Sequence, residues 1–237
     1  MEDKKIDAYI NGKIEIEDTF LALLQEDINE EGFNESLNNL NLHFQNQGFS
    51  QNQEELKIFL YYISKIADNH NRTKEFFKKI GEVLNLIHNE IKTFLSNFDI
   101  FDIFKSNPRM LLSLLQNNLL EADEIIFKYM LKYYYEKKRD QYFAFLYPEF
   151  KEFLSQEDVL YYEEKISNIK QYEIYRQEGE NENYFCSLIR NDLIDEFVEF
   201  STRVNLQLSS PVPFSLFESN PFLFDKETTL IEYAAFY

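Results

Sequence analysis

Three histidines and one cysteine are the side chains in this sequence best suited to hold a metal ion or attack a substrate. A zinc or iron site on a helix needs two such ligands three or four residues apart, or a set of paired carboxylates. His43, His70 and His88 stand far apart, and no second histidine or cysteine follows any of them at that spacing. We predict surface or helix-cap histidines and no metal site.

Cys186 is the only candidate nucleophile of the thiol type. A catalytic thiolate needs a neighbouring base or a helix start that lowers its pKa, and the sequence around Cys186 provides neither. A single cysteine also cannot build a disulfide framework. We interpret Cys186 as a small buried residue on the apolar side of a helix.

Phosphate loops and calcium loops are also missing from the sequence. The five glycines are scattered, and none belongs to a Gly-x-Gly-x-x-Gly or Gly-Lys-Ser/Thr motif. Carboxylates cluster at Glu15–Asp18 and Glu121–Glu124 without the Asp-x-Asp-x-Asp-Gly spacing of a calcium loop. We interpret both clusters as solvated helix starts, and we predict no catalytic residue and no cofactor.

Two motifs could instead dock a partner protein. Leu111–Leu115 matches the Leu-x-x-Leu-Leu pattern of helices that bind hydrophobic grooves, but the same leucines are needed to pair two helices across Asn117-Asn118. The tyrosines Tyr133–Tyr135 and Tyr161-Tyr162 could anchor a partner because tyrosine buries area at low entropic cost. We favour core packing for the leucines and rings that flank a helix core for the tyrosines.

The charge balance excludes two classes of partner. The chain has 24 Lys and Arg against 42 Asp and Glu, a net charge of −18, which repels nucleic acid and anionic lipid surfaces. The basic run Lys137–Arg139 is too short to offset this charge.

The sequence starts without the apolar core of a signal peptide and has no apolar stretch long enough for a membrane span. We therefore predict a cytoplasmic protein.

Composition and periodicity predict an all-α fold. The 237 residues include only five Gly and five Pro, too few for the many turns of a β-sandwich or a doubly wound fold. Ser50 and Gln53 form a capping-box pattern before the helical stripe that runs from Leu56 to Ala67. Thr73 can cap a longer helix that runs on to Leu95.

Further helix starts and breaks follow along the chain. Asn107-Pro108 opens a helix that turns at Asn117-Asn118 into a second one. Tyr147-Pro148 predicts another start, Ser155 caps a helix that reaches about Gln177, and Gly179 ends it. Near the amino terminus, residues 6–16 are either a hairpin about Asn11-Gly12 or helix on both sides of Gly12, and residues 29–53 are a polar helix or a loosely held connection.

One internal repeat is visible. Ser113–Glu121 aligns without gaps with Ser187–Asp195, and an apolar-striped helix follows each segment. Each copy reads as helix, tight Asn turn and helix, because Asn tolerates the left-handed backbone that closes a helix. The intervening sequence matches poorly, so the array is degenerate.

The carboxyl-terminal residues make the repeat more specific. Thr229–Ala235 resembles the Thr-Pro-Leu-His-x-Ala-Ala signature of the ankyrin repeat, with Leu230 in place of Pro and Glu232 in place of His. Tyr184–Asn205 resembles a worn ankyrin helix pair. Together these segments resemble the helical region that precedes ankyrin repeats in protist, trichomonad-like proteins. The chain stops at Tyr237 inside an apolar run, whereas solenoids close with a polar capping repeat, so we expect further repeats to follow.

These observations predict an all-α protein in which a bundle of helix pairs leads into a degenerate ankyrin-like helical solenoid. The predicted parts are an acidic, Asn/Gln-rich, partly helical segment (1–53), a domain of helix pairs (54–180) and degenerate ankyrin-like repeats (181–237). The resemblance implies a non-catalytic scaffold for protein–protein interaction, with other proteins as partners and self-association as an open possibility.

Two alternatives stay open from the residues alone. One is a small-molecule binder or enzyme in the interior of a helical bundle, with a site assembled from distant acidic and tyrosine side chains. The other is a secreted effector that acts by protein interaction inside a host cell. The sequence does not identify the partner or the binding face.

Overall fold

The computed structural model describes residues 16–25, 28–46, 52–69, 75–136, 140–167, 170–224 and 227–237. Within these ranges the chain folds into α-helices without a strand, and β pairing is limited to an isolated bridge between Pro211 and Thr229. The all-α prediction is therefore confirmed. The helices are α1 (residues 16–23), α2 (Glu30–Asn46), α3 (Gln53–Asn69), α4 (Phe76–Leu86), α5 (His88–Phe94), α6 (Asn97–Phe104), α7 (Pro108–Gln116), α8 (Glu124–Glu136), α9 (Asp140–Phe150), α10 (Gln156–Ser167), α11 (Tyr172–Glu178), α12 (Tyr184–Arg190), α13 (Ile194–Val204), α14 (Pro221–Phe224) and α15 (Leu230–Phe236).

The chain forms two compact units. One contains Met1–Ile63 and Thr73–Ser96, and the other contains Ser64–Arg72 and Asn97–Tyr237. Helix α3 contributes its first turns to one unit and its last to the other. The predicted division into 1–53, 54–180 and 181–237 stays a prediction, and the predicted hairpin at residues 6–16 falls almost wholly outside the described ranges.

Aromatic side chains form the centre of the first unit. Phe20 of α1 packs edge-on against Phe59 of α3, with ring centroids 5.8 Å apart, and Phe44 of α2 packs against the same ring at 5.0 Å. All three rings are buried. Edge-to-face contacts of this kind stabilise a core beyond the burial of area alone, so three helices converge on Phe59.

Two expectations for this unit are refined by the structure. The Asn-rich stretch forms the polar helix α2, one of the two predicted alternatives. The cap of α3 is Asn52 rather than Ser50, because its side-chain oxygen accepts hydrogen bonds from the backbone N–H groups of Glu54 (3.2 Å) and Glu55 (3.4 Å). Ser50 lies outside the described residues.

The prediction of one continuous helix that ends at Leu95 is wrong. It divides at Ile87 into α4 and α5, where the N–H of Ile87 bonds three residues back to the carbonyl of Leu84 at 3.2 Å. A tight turn of this kind interrupts the α-helical ladder while Ile87 and Ile91 both stay buried. The predicted cap, Thr73, lies outside the described residues.

Helix α7 begins as predicted. The side-chain oxygen of Asn107 accepts the N–H of Met110 at 3.0 Å, and Pro108 occupies the first turn. The amide of Asn107 also donates to the carbonyl of Ala67 (3.3 Å) and the carboxylate of Asp68 (3.1 Å). This fully buried cap therefore fastens α7 to the end of α3 within the second unit.

The predicted helix start at Tyr147-Pro148 is wrong. Pro148 lies inside α9, in the last turn before its end at Phe150. Proline lacks the N–H that would bond to the carbonyl of Ala144, and the hydroxyl of Tyr172 donates to that oxygen instead, at 2.6 Å. A donor from another helix thus allows α9 to continue through the proline.

The helix predicted from Ser155 to about Gln177 divides into α10 and α11. Ser155 does cap its start, since its hydroxyl accepts the N–H of Asp158 at 3.2 Å. The second helix opens after Gln171, which has left-handed backbone (φ 72°). Gly179, also left-handed at φ 71°, ends α11 as predicted.

Candidate functional site

The two copies of the internal repeat form the same turn. In α7 the N–H of Leu119 bonds to the carbonyl of Leu114 at 2.9 Å, and that of Asn118 bonds to Leu115 at 3.2 Å. This pair of bonds is the Schellman motif, which requires a left-handed residue just beyond the helix. Asn118 supplies it with φ 56°.

Helix α12 ends in the same way. The N–H of Leu193 bonds to Leu188 at 3.0 Å, that of Asp192 bonds to Ile189 at 3.1 Å, and Asp192 has φ 53°. The Asn before each left-handed residue also matches, because Asn191 donates to the carbonyl of its own Ser four residues earlier at 2.7 Å, as Asn117 does at 2.8 Å. The predicted tight turns are confirmed in both copies, but in the second copy the left-handed residue is Asp192, while Asn191 has φ −96°.

The copies diverge after the turn. Helix α13 begins at once, at Ile194, whereas α8 begins only at Glu124 after a loop. That loop is fixed by Asn97, whose side chain exchanges two hydrogen bonds with the backbone of Glu121, at 2.8 and 2.9 Å. Asp123 then caps α8 by accepting the N–H of Ile126 at 2.8 Å. Within the acidic run 121–124, one carboxylate is therefore a helix cap.

Helices α12, α13 and α15 form one cluster. Phe200 of α13 packs against Tyr184 and Phe185 of α12, with ring centroids 5.0 and 5.3 Å apart, and α15 packs on α12. Thr229 caps α15 in a reciprocal box with Glu232, whose carboxylate accepts the N–H of Thr229 at 2.8 Å. Glu232 thus completes the start of this helix.

A polar bridge joins α12 to α15. The guanidinium of Arg190 donates to the carbonyl of Asn181 and to the hydroxyl of Tyr233, both at 2.7 Å. Tyr233 is fully buried. Burial, followed by the negative charge of Glu218, holds the pKa of Tyr233 well above its usual range, so its hydroxyl is neutral and available for hydrogen bonding.

Cys186 lies in the same interior and is fully buried. Burial raises the pKa of its thiol to about 12. At neutral pH the group is therefore a thiol, which is a weak nucleophile.

A cavity of about 320 Å³ opens beside this bridge in the second unit. Its polar lining includes the carboxylates of Glu218 and Glu227, the side chain of Asn181 and the ring of Tyr233. Its apolar lining comes from Leu223 and from the segment 211–214, Pro-Val-Pro-Phe. We call this space the Glu218 cavity.

Helix α13 carries the second unusual surface of this region, after the Glu218 cavity. Its apolar residues follow a helical stripe, yet none of its residues is buried. Ile194 is 64% exposed, Val198 55% and Val204 47%. The neighbouring positions Asp195, Glu196 and Glu199 are acidic and exposed. Ile194 and Val198 lie one turn apart on the same side of α13, whereas Val204 lies about 120° from Val198 around the helix axis. We call the exposed side that carries Ile194 and Val198 the α13 face.

The two histidines that the structure describes lie on different helices. His43 lies in the last turn of α2, and His88 is the first residue of α5; both are half-buried. His70 is outside the described residues. Among the residues that the structure describes, no group of three or more His, Cys, Asp and Glu side chains could hold a metal ion.

The candidate docking motifs are placed differently. Leu111 and Leu114 of the Leu-x-x-Leu-Leu motif are buried in the core and Leu115 is half-buried, which confirms the packing interpretation of the motif. Tyr161 is exposed, while Tyr162 stacks on Tyr147 with centroids 5.4 Å apart. The side chains of Tyr133–Tyr135 and the run Lys137–Arg139 lie outside the described part of the molecule.

The Glu218 cavity was not predicted from the sequence. Its lining comes from residues 181–233, and the carboxylates at 218 and 227 follow no motif spacing. The one local signal is the Pro-Val-Pro-Phe segment beginning at Pro211, since two prolines set a rigid extended backbone.

Comparison of the chain with protein-family models, with characterised proteins and with solved structures finds no match. Among the described helices, none combines the length and apolar character that crossing a bilayer requires.

Proposed function

We propose that this chain is a non-catalytic protein–protein interaction scaffold, the N-terminal part of an ankyrin-repeat protein, and that it docks a partner on the α13 face. The observation that carries the proposal is that an amphipathic helix leaves Ile194 and Val198, which lie one turn apart, exposed on one side. Aliphatic groups aligned on one helix are typical of helix-in-groove or helix-on-helix recognition.

The charges around the α13 face define the chemistry of its partner. Asp192, Asp195, Glu196 and Glu199 lie on or beside α13, against one basic residue, Arg203. We therefore commit to an amphipathic helix with an apolar stripe flanked by Lys and Arg, because complementary charges favour encounter and set orientation. Such a partner suits a chain with a net charge of −18.

The ankyrin part of the proposal draws on the cluster of α12, α13 and α15. The paired helices α12 and α13 are followed in this cluster by α15, which is capped at Thr229 and packs on α12. Ala234 and Ala235 supply small side chains on that third helix. Reading the native transcript past the codon for Tyr237 tests this part. We expect helix pairs at a period of about 33 residues, and an immediate stop codon would contradict it.

The docking surface is tested with two designed helical peptides that share a leucine stripe. One carries Lys at the flanking positions and the other carries Glu. We expect the Lys peptide to bind in fluorescence anisotropy and the Glu peptide to fail. Val198→Asp should weaken binding at least tenfold, on the order of 1.4 kcal/mol.

The matched control is Leu160→Asp. Leu160 is 62% exposed on α10, so the substitution adds the same charge at a similarly exposed position outside the α13 face. Equal loss of binding in both variants, or binding of both peptides, would overturn the assigned surface. Light scattering tests whether the α13 face binds a second copy of this chain. A dimer that dissociates in the Val198→Asp variant would assign the face to self-association.

A further inference from the structure

The ionisable groups that line the Glu218 cavity are all acidic. They are the carboxylates of Glu218 and Glu227 and the phenol of Tyr233, and no Lys, Arg or His is among the described lining residues. Arg190, which lies beside Tyr233, directs one guanidinium nitrogen to Asn181 and Tyr233. The two carboxylates of the described lining therefore favour a cationic ligand over an anionic one.

Glu218 is held in place by its own loop. Its N–H donates to the hydroxyl oxygen of Ser215 at 3.1 Å, and its carboxylate accepts the N–H of Asn220 at 2.9 Å. Ser215 in turn donates to the carboxylate of Glu182. The side chain of Glu218 is only 5% exposed, so a carboxylate is fixed beside the cavity with little contact with bulk water.

The segment opposite is also anchored. The amide of Asn181 donates to the carbonyl of Pro213 at 2.9 Å, and the N–H of Val212 donates to the carbonyl of Thr228 at 2.7 Å. Phe214, next along the chain, is 70% exposed although it lines the cavity. The walls thus combine rigid apolar surfaces with an aromatic ring at a water-accessible edge.

We propose that the Glu218 cavity binds a lysine or arginine side chain presented by a partner protein. The aliphatic stem would lie against Pro211, Phe214 and Leu223, and the cationic head would meet Glu218 and Glu227. Long basic side chains bury their stems against apolar surface in this way. A carboxylate with little contact with water attracts a cation more strongly than one in bulk solvent does, and a fixed site lowers the ordering cost of binding.

This inference rests on the proposed function in one respect, namely that the lysine or arginine side chain belongs to a partner protein. The probes are N-acetyl-lysine methylamide and N-acetyl-arginine methylamide, with N-acetyl-norleucine methylamide as the uncharged analogue. Binding is followed by methyl NMR at Val212 and Leu223. We expect saturable shifts from a charged probe, with Kd on the order of millimolar, and none from the norleucine probe.

Two substitutions separate binding from folding. Glu218→Gln should weaken binding of the charged probe at least about fivefold, and the exposed Glu227→Gln should weaken it about twofold to threefold. Glu157→Gln removes the same charge from an exposed position on α10 and should leave the affinity unchanged. If Glu218→Gln does not fold, two measurements replace it: the affinity of the Glu227→Gln variant for the charged probe, and the decrease in that affinity expected at high salt.

Several results would overturn the inference. Equal shifts from the norleucine probe would remove the role of charge, and unchanged affinity in both cavity variants would place the probe elsewhere. Spermidine that binds more than tenfold tighter than either capped amino acid would assign the cavity to a free polyamine. Because Val198→Asp tests the α13 face alone, failure of the cavity and failure of the docking surface are distinguishable.

Discussion

The hydroxyl of Tyr172 donates a hydrogen bond to the carbonyl oxygen of Ala144 at 2.6 Å. That oxygen is the one left without its helical N–H donor by Pro148, four residues later in α9. Tyr172 is buried, and burial raises the pKa of its phenol above its usual range. The hydroxyl therefore remains a donor at any physiological pH.

Removing this hydroxyl should destabilise the second unit. We expect Tyr172→Phe to lower the free energy of unfolding by about 1–3 kcal/mol, because a buried carbonyl loses its partner. Urea denaturation followed by circular dichroism measures the change. The control is Tyr161→Phe, whose exposed ring should keep the change within about 0.5 kcal/mol.

A double-mutant cycle connects the tyrosine to the proline. Pro148→Ala restores an N–H that can reach the carbonyl of Ala144, so the Tyr172→Phe substitution should cost less in that background. An equal cost in both backgrounds would show that the hydroxyl and the proline act independently.

Arg176 should not tolerate replacement by lysine. The side chain is 3% exposed; its Nε donates to the carbonyl of Phe145 at 2.6 Å, while its two terminal nitrogens meet the carboxylates of Glu149 and Glu173. Lysine carries one charged nitrogen and cannot reproduce this fork. We expect Arg176→Lys to cost about 2 kcal/mol or more, since it leaves buried groups without partners.

The measurement is again the unfolding free energy. Arg203→Lys, at an exposed position on α13, makes the same exchange and should be neutral within about 0.5 kcal/mol. Comparable losses at both positions would contradict a specific role for the Arg176 fork.

The two repeat turns should respond alike to substitution. Asn118 and Asp192 have left-handed backbone (φ 56° and 53°). A β-branched residue in this conformation is penalised by about 1–2 kcal/mol, so Asn118→Val and Asp192→Val should both destabilise the protein.

The glycine variants Asn118→Gly and Asp192→Gly serve as the comparison. Glycine adopts this backbone without strain, so both variants should equal or exceed the wild-type stability in thermal unfolding. A valine variant as stable as its glycine counterpart would mean that the turn is not held in the Schellman geometry.

The buried thiol of Cys186 should make the stability of the protein fall at alkaline pH. Burial raises its pKa to about 12 in the folded state, from an ordinary value of 9.0. A group whose folded pKa is raised stabilises the fold fully below the unfolded pKa, and this contribution is lost as pH rises to the folded pKa. Stability should therefore fall between pH 9 and about 12, by at most about 1.4 kcal/mol per pH unit for this group.

Cys186→Ala should flatten the pH profile over that window. The slopes are the quantity to compare, since the substitution itself changes the stability at every pH and Tyr172 and Tyr233 titrate in the same direction. A thiol reagent at pH 8 should label unfolded chains much faster than native protein. Rapid labelling of the native thiol would contradict its burial.

Local signals in the sequence were reliable where neighbouring residues decide the structure. The cap at Asn107-Pro108, the turns at Asn117-Asn118 and Asn191-Asp192, and the break at Gly179 each depend on a few adjacent side chains and backbone groups. Helix α6 was not predicted, because Asn97–Phe104 has only eight residues, fewer than the roughly 11 over which a helical stripe can be recognised.

The sequence by itself thus determined the helical class, the caps at Asn107 and Ser155 and the repeated turn, since these follow from composition, periodicity and contacts within a few residues. Only the tertiary structure decided that α9 passes through Pro148, that Glu218 and Tyr233 line one cavity, and that the stripe on α13 stays exposed. Each of these depends on which distant group packs against a given side chain, donates a bond to it or leaves it uncovered.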